Sequence, residues 1–143
     1  MSYPDLLILP SIEDYRKYYE DNYCRVPIIT FDNIPVYFSK NRFTHAFFES
    51  SKKDKIKDTF SIKRAQRINW IKTTLQDKNA LLFVGWDNKK KCYDYYRRVV
   101  VVLGNYVVII RFNKFKNAAF FVTAYVADHK RTLSMIMKSP IWK

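Results

Sequence analysis

Glycine is almost absent: Gly85 and Gly104 are the two glycines in 143 residues, where globular chains carry about 7%. Two isolated glycines cannot form G-x-G-x-x-G or G-x-x-x-x-G-K-[ST], so both usual glycine-cradled nucleotide sites are excluded. Cysteine is equally scarce. Cys24 and Cys92 offer neither metal-ligand spacing nor a disulfide framework, and they read as reduced, buried thiols of a cytosolic protein. Long apolar runs are missing as well. The longest, residues 99–110, is interrupted by Gly104-Asn105 and falls short of the ~20 residues of a membrane span. The opening residues 1–5 lack a basic stretch, and the apolar run 6–9 is too short for a signal peptide. A soluble, cytoplasmic protein with no membrane partner is expected.

Acidic residues are the next shortage. There are 13 Asp+Glu against 26 Lys+Arg, a net charge of +13. Residues 1–39 hold six acids and three cations, a net of −3, which leaves +16 on residues 40–143. Surplus charge of this density opposes compaction, and a polyanion that neutralises it is the natural partner. Nucleic acid fits best, because no helix combines a cationic face with an exposed apolar one, as binding to anionic membrane would require. The seven acids after residue 40 (Glu49, Asp54, Asp58, Asp77, Asp87, Asp94 and Asp128) are scattered, and none pairs with a histidine at ligand spacing. Metal-dependent hydrolysis and paired-carboxylate chemistry are therefore disfavoured, and no cofactor is expected.

What is present is α+β patterning in a single domain. Ser11 caps a helix whose Ile12, Tyr15, Tyr19 and Tyr23 recur at three- and four-residue steps. Two β-prone runs, 27–31 and 34–38, flank Asp32-Asn33 as a hairpin, with Pro35 confining it to a sheet edge. A short helix follows near 42–51. Ser61 caps a second helix reaching Gln76, with Ile62, Ala65, Ile68, Ile71 and Leu75 as its buried stripe. From residue 80 the period changes to that of four strands, 80–86, 93–103, 106–112 and 118–126, joined at Gly104-Asn105 and at 113–117. A last short helix spans 130–138. Helices before strands predict N-terminal helices packed on one face of a four-stranded antiparallel meander.

RNA can be cut without metal, since its 2′-hydroxyl is a tethered nucleophile and the protein need only move protons and stabilise charge. His45, set among Phe43, Phe47 and Phe48, is the candidate proton-transfer group. His129, in a polar stretch, reads as solvated. Arg64 and Arg67 lie three apart on the capped helix and can converge on one phosphate. Thr123 and Tyr125 alternate onto one face of the last strand, away from the apolar set Phe120, Val122, Ala124 and Val126. Lys63, Trp70, Arg98 and Arg111 are candidate RNA contacts; Trp70 can equally roof the core.

Phe43-x-His45-x-Phe47, then Phe60-Ser61-x-x-Arg64-Ala65-x-Arg67-Ile68-x-Trp70-Ile71, then residues 106–110 and 121–125, follow one order. Over residues 40–143 that order resembles the barnase–EndoU–colicin E5/D–RelE (BECR) superfamily of phage and mobile-element nucleases. The resemblance implies helices on a four-stranded sheet and metal-independent endoribonuclease activity leaving 2′,3′-cyclic phosphate and 5′-hydroxyl ends. It further implies a toxin acting on tRNA or mRNA and held by an antitoxin or immunity protein. His45 would be the catalytic histidine, Arg64 and Arg67 the phosphate pair, and Thr123 and Tyr125 the last-strand positions. A catalytic lysine would be Lys52, Lys53 or Lys63. Two rival readings follow from the charge alone: a non-catalytic basic module that binds nucleic acid or protein, or a chain whose acidic N-terminal segment covers its own basic face.

Overall fold

The computed structural model describes residues 3–50 and 56–142. Its elements run α1 (Ile12–Asn22), β1 (Ile28–Ile29), β2 (Pro35–Tyr37), α2 (Arg42–Phe47), β3 (Phe48–Glu49), β4 (Thr59–Phe60), α3 (Ile62–Gln66), α4 (Ile68–Gln76), β5 (Leu81–Asp87), β6 (Cys92–Leu103), β7 (Tyr106–Phe112), β8 (Ala119–Val126) and α5 (Lys130–Met137). The class is α+β, and the four long strands fall within a residue of their sequence positions.

The sheet is larger than the expected meander. Six strands lie in the order β1-β2-β8-β7-β6-β5, and β3 and β4 form a separate pair. The hairpin β1–β2 docks on the meander through a short parallel pairing, Val36 opposite Ala119 and Tyr37 opposite Phe120. The hairpin forms one edge of the sheet, as Pro35 leads one to expect, and Pro35 is the first residue of β2, where a missing N–H is tolerated.

Helices occupy both faces rather than one. The main core lies between one face of the sheet and α1, α2 and α4, with Tyr15, Tyr19, Phe43, Phe47, Ile68 and Ile71 among its buried side chains. On the other face Leu133 and Ile136 of α5 pack against Phe83, Val100, Val102 and Val107. The amphipathic spacing of residues 130–137 requires a second apolar surface, and the alternate residues of β5–β7 supply it.

Buried tyrosines anchor α1. The hydroxyl of Tyr19 donates to Ser39 O (2.8 Å), that of Tyr23 to Ile68 O (2.9 Å) and that of Tyr15 to Leu7 O (2.8 Å). Each ring therefore fills core volume while its polar tip stays satisfied.

Two irregularities position the rest. The helix from Ser61 is broken at Arg67 (φ −103°, ψ 18°), whose N–H reaches Arg64 O at 3.1 Å. Ala65, Ile68 and Ile71, all fully buried, are spaced by three, and a tight turn keeps three-residue steps in line where a continuous α-helix would let them drift. In β8 a bulge at Val122 shifts the register, so that Phe121 opposes Ile110 and Thr123 opposes Ile109. Phe121 accordingly turns into the main core and Phe120 is left exposed, the reverse of simple alternation. Thr123 and Tyr125 still share a face.

Gly85 sits where β5 shifts register against β6, and a methyl group there would overlap Cγ and Cδ of Arg98. Gly85→Ala should destabilise the fold by ~1–3 kcal/mol. Arg98→Ala should relieve most of that destabilisation in a double-mutant cycle of urea melts; additive effects would contradict the overlap.

Candidate functional site

Beyond Phe120, β2 no longer runs beside β8. Helices α2 and α3 flank this open edge, and Arg42 closes it by donating Nε (3.2 Å) and Nη2 (2.7 Å) to Val122 O at the bulge. Ser61 starts α3, its Oγ accepting from the Arg64 N–H at 3.3 Å. With Ala65 buried in the core, the helix turns Lys63, Arg64 and Arg67 toward the C-terminal end of β8 and the start of α5.

A cleft of about 420 Å³ opens there, lined by Lys63, Arg64, Arg67, Glu49, Tyr125, Asp128 and His129 among others. Arg64 gives Nε to the Glu49 carboxylate (3.4 Å) and Nη1 to Ala46 O (3.3 Å), with its guanidinium 5.6 Å from the Tyr125 ring centre. Arg67 donates Nη1 to Lys63 O (2.8 Å) and lies 5.0 Å from the Trp70 ring. Its buried Nε has no partner among the described residues. Each guanidinium has five N–H donors, and these bonds leave several for a ligand. Lys63 forms an ion pair with Asp128 across the cleft mouth.

Two titrations follow from this environment. Hydrogen bonding from Lys63, reinforced by its charge, holds the Asp128 carboxyl below its ordinary value. Burial pushes the Tyr125 phenol up, only partly opposed by the Arg64 charge, so it stays protonated and able to donate at neutral pH.

Of the residues singled out in the sequence, Lys63, Arg64, Arg67 and Tyr125 meet here. His45 does not. On α2 the buried face is taken by Phe43, Ala46 and Phe47, and positions two apart on a helix face opposite ways, so Thr44 and His45 turn to solvent. Partial desolvation, and then the charges of Arg42 and Lys57, depress the His45 pKa and leave the ring neutral at pH 7.

Thr123 pairs with Ile109 and does not line the cleft. Trp70 is committed to packing: it stacks on Tyr3 at 4.2 Å and donates Nε1 to Pro4 O at 2.9 Å. Arg98 and Arg111 oppose each other on β6 and β7, outside this cleft. Lys52 and Lys53 lie outside the described residues. Glu49, Asp128 and His129 also line the cleft, although the sequence pattern placed the two acids among scattered ones and His129 in a solvated stretch. His129 stands four residues past Tyr125 at the start of α5, so the strand that carries Tyr125 also delivers the imidazole.

Among the described residues no three His, Cys, Asp or Glu side chains gather as metal ligands, and no helix is long and apolar enough to cross a membrane. No protein-family model, curated protein or solved structure matches the chain.

Lys63→Met should raise the Asp128 pKa toward the usual aspartate value, followed by carboxyl NMR titration. The sign is that of a depressed acid: the pair's contribution is present above the unfolded pKa and is lost as pH falls through the folded one. An unmoved Asp128 titration in the variant would contradict the pairing.

Proposed function

We propose that the chain is a metal-independent endoribonuclease that holds an RNA phosphodiester in the cleft between α3, β8 and α5. The observation that carries the reading is the arrangement lining that cleft: three cations, Lys63, Arg64 and Arg67, with one imidazole, His129, and two carboxylates, Glu49 and the Asp128 that pairs with Lys63. The cations suit a phosphate, and imidazole and carboxylate are side chains that serve as general acid and general base.

In this mechanism the Glu49 carboxylate takes the proton of the 2′-hydroxyl, and the 2′-oxygen attacks the adjacent phosphorus. Protonated His129 donates to the departing 5′-oxygen. Arg64 and Arg67 stabilise the charge on the pentacoordinate phosphorus, as fixed donors stabilise an oxyanion, and the Tyr125 hydroxyl adds a neutral donor. The products are a 2′,3′-cyclic phosphate and a 5′-hydroxyl, the same ends that the BECR resemblance implies. An inhibitory partner, of the antitoxin or immunity type, would present acids to the same cations.

With purified protein, a short oligoribonucleotide and EDTA, the expected outcome is cleavage to cyclic-phosphate ends. His129→Ala and Glu49→Gln should each slow it by about 10²–10⁴-fold. His45→Ala should stay within a few-fold of the parent, and a strand with 2′-deoxyribose at the scissile position should survive. RNA that is retarded on a gel but uncut would overturn the enzyme reading in favour of a binding module. Loss of activity in His45→Ala alone would move the chemistry away from this cleft.

A further inference from the structure

A second basic surface lies at the opposite end of the sheet. β7 runs from Tyr106, which lines the cleft, to Phe112. At about 3.4 Å per residue, Phe112 stands roughly 20 Å from Tyr106, and Lys114 follows it in the β7–β8 turn. There the β5–β6 turn, an insertion in β6 and the β7–β8 turn come together around a groove of about 480 Å³ lined by Lys90, Tyr96, Arg97, Arg111, Lys114 and Lys116, with Asp94. Between residues 87–98 and 111–117 the chain carries eight cations and two acids.

Both acids are engaged in shaping the backbone. Asp87 Oδ1 accepts from the N–H groups of Lys89 and Lys90 (2.9 and 3.1 Å), and Asp94 Oδ1 from those of Tyr96 and Arg97 (3.1 and 3.0 Å). The third turn is fixed by Asn113, whose Oδ1 accepts from Asn117 N (3.1 Å) and whose Nδ2 donates to Asn117 Oδ1 (2.7 Å). The cations therefore project from built turns.

Aromatic rings interleave with them. Tyr96 is 76% exposed, with Lys116 Nζ 5.7 Å from its ring centre. Four residues of β6, Tyr95 to Arg98, are inserted relative to β5, since Val84 opposes Val99 while Gly85 opposes Asp94, and this insertion holds Tyr96 out. Arg111 opposes Phe120, which is 52% exposed, and links the groove to a second hollow of about 230 Å³ lined by Tyr37, Arg42 and Phe120. Cations alternating with exposed ring faces suit a strand that offers phosphates and unpaired bases together. A duplex hides its base faces, and a base-free polyanion has none.

We infer that this end of the sheet is a binding track for single-stranded nucleic acid, distinct from the cleft and independent of any cleavage there. The test uses the intact chain with labelled 12-mer oligo-dT, which has no 2′-hydroxyl, so its result does not depend on ribonuclease activity. The comparison probes are a 12-base-pair DNA duplex and heparin.

The single strand should bind more tightly than the duplex. Tyr96→Ala with Phe120→Ala should weaken oligo-dT binding about tenfold or more, because the bases no longer stack, while heparin affinity changes less than twofold. Tyr96→Phe should retain binding. Arg111→Ala with Lys114→Ala should weaken both single strand and heparin. The same pair should flatten the slope of log affinity against log salt for oligo-dT, by about 0.7 for each phosphate left unneutralised. Thermal melts of each variant establish that these exposed changes leave the fold intact. Equal affinity for duplex and single strand, or undiminished oligo-dT binding by the aromatic double variant, would overturn the inference.

Discussion

The open edge of β8 is the constraint on which the cleft depends. A strand edge within a folded domain leaves carbonyl groups that need partners, and here the neighbouring strand ends after Tyr37. The Val122 carbonyl at the bulge is met by two N–H groups of Arg42, a charge-assisted interaction of the class that contributes about 1.5–3 kcal/mol. Closing the edge with helices instead of another strand brings α3 against the C-terminal half of β8. Arg64 can then stand over Tyr125, and Lys63 can reach Asp128. A seventh strand in that position would have left no room for the arginines.

The distribution of charge follows the same architecture. The acidic N-terminal segment is not a cover laid over the basic half: α1 inserts Tyr15, Tyr19 and Tyr23 into the main core, and the hairpin extends the sheet. Two of its ion pairs among the described residues, Glu13–Arg16 and Asp21–Arg25, are local. Removing residues 1–39 would therefore strip the core before it uncovered any basic surface. The cations concentrate instead around two hollows at the two ends of the sheet, where their mutual repulsion is a standing cost that a bound polyanion offsets.

Much of this was legible in the sequence, for identifiable reasons. Strands 80–126 announce themselves by β-branched runs and the Gly104-Asn105 turn, where Gly104 takes φ 65°. Helix α1 is marked by its Ser11 cap and tyrosine spacing. The cations of the Ser61 helix were visible because its buried stripe leaves them on the remaining circumference. What stayed hidden depends on pairing rather than pattern. No local signal reports that Val36 will lie parallel to Ala119, or that a bulge at Val122 will turn Phe121 inward. His45 attracted attention through its aromatic neighbours, yet on a helix those neighbours face away from it. His129 and Glu49 come from segments 80 residues apart in the chain, and only the tertiary fold lines one cleft with both.

The proposed chemistry requires that the cleft beside α3 be where a phosphate is held. The most direct measurement is a ¹H–¹⁵N NMR titration of the protein with a guanosine 3′-monophosphate ligand, which carries the phosphate but no bond to cleave. The largest shifts should fall on the backbone of Lys63 to Arg67, the Arg64 and Arg67 Nε–H groups and the His129 ring, with His45 unmoved. Shifts that leave those signals in place and cluster elsewhere would contradict the central claim.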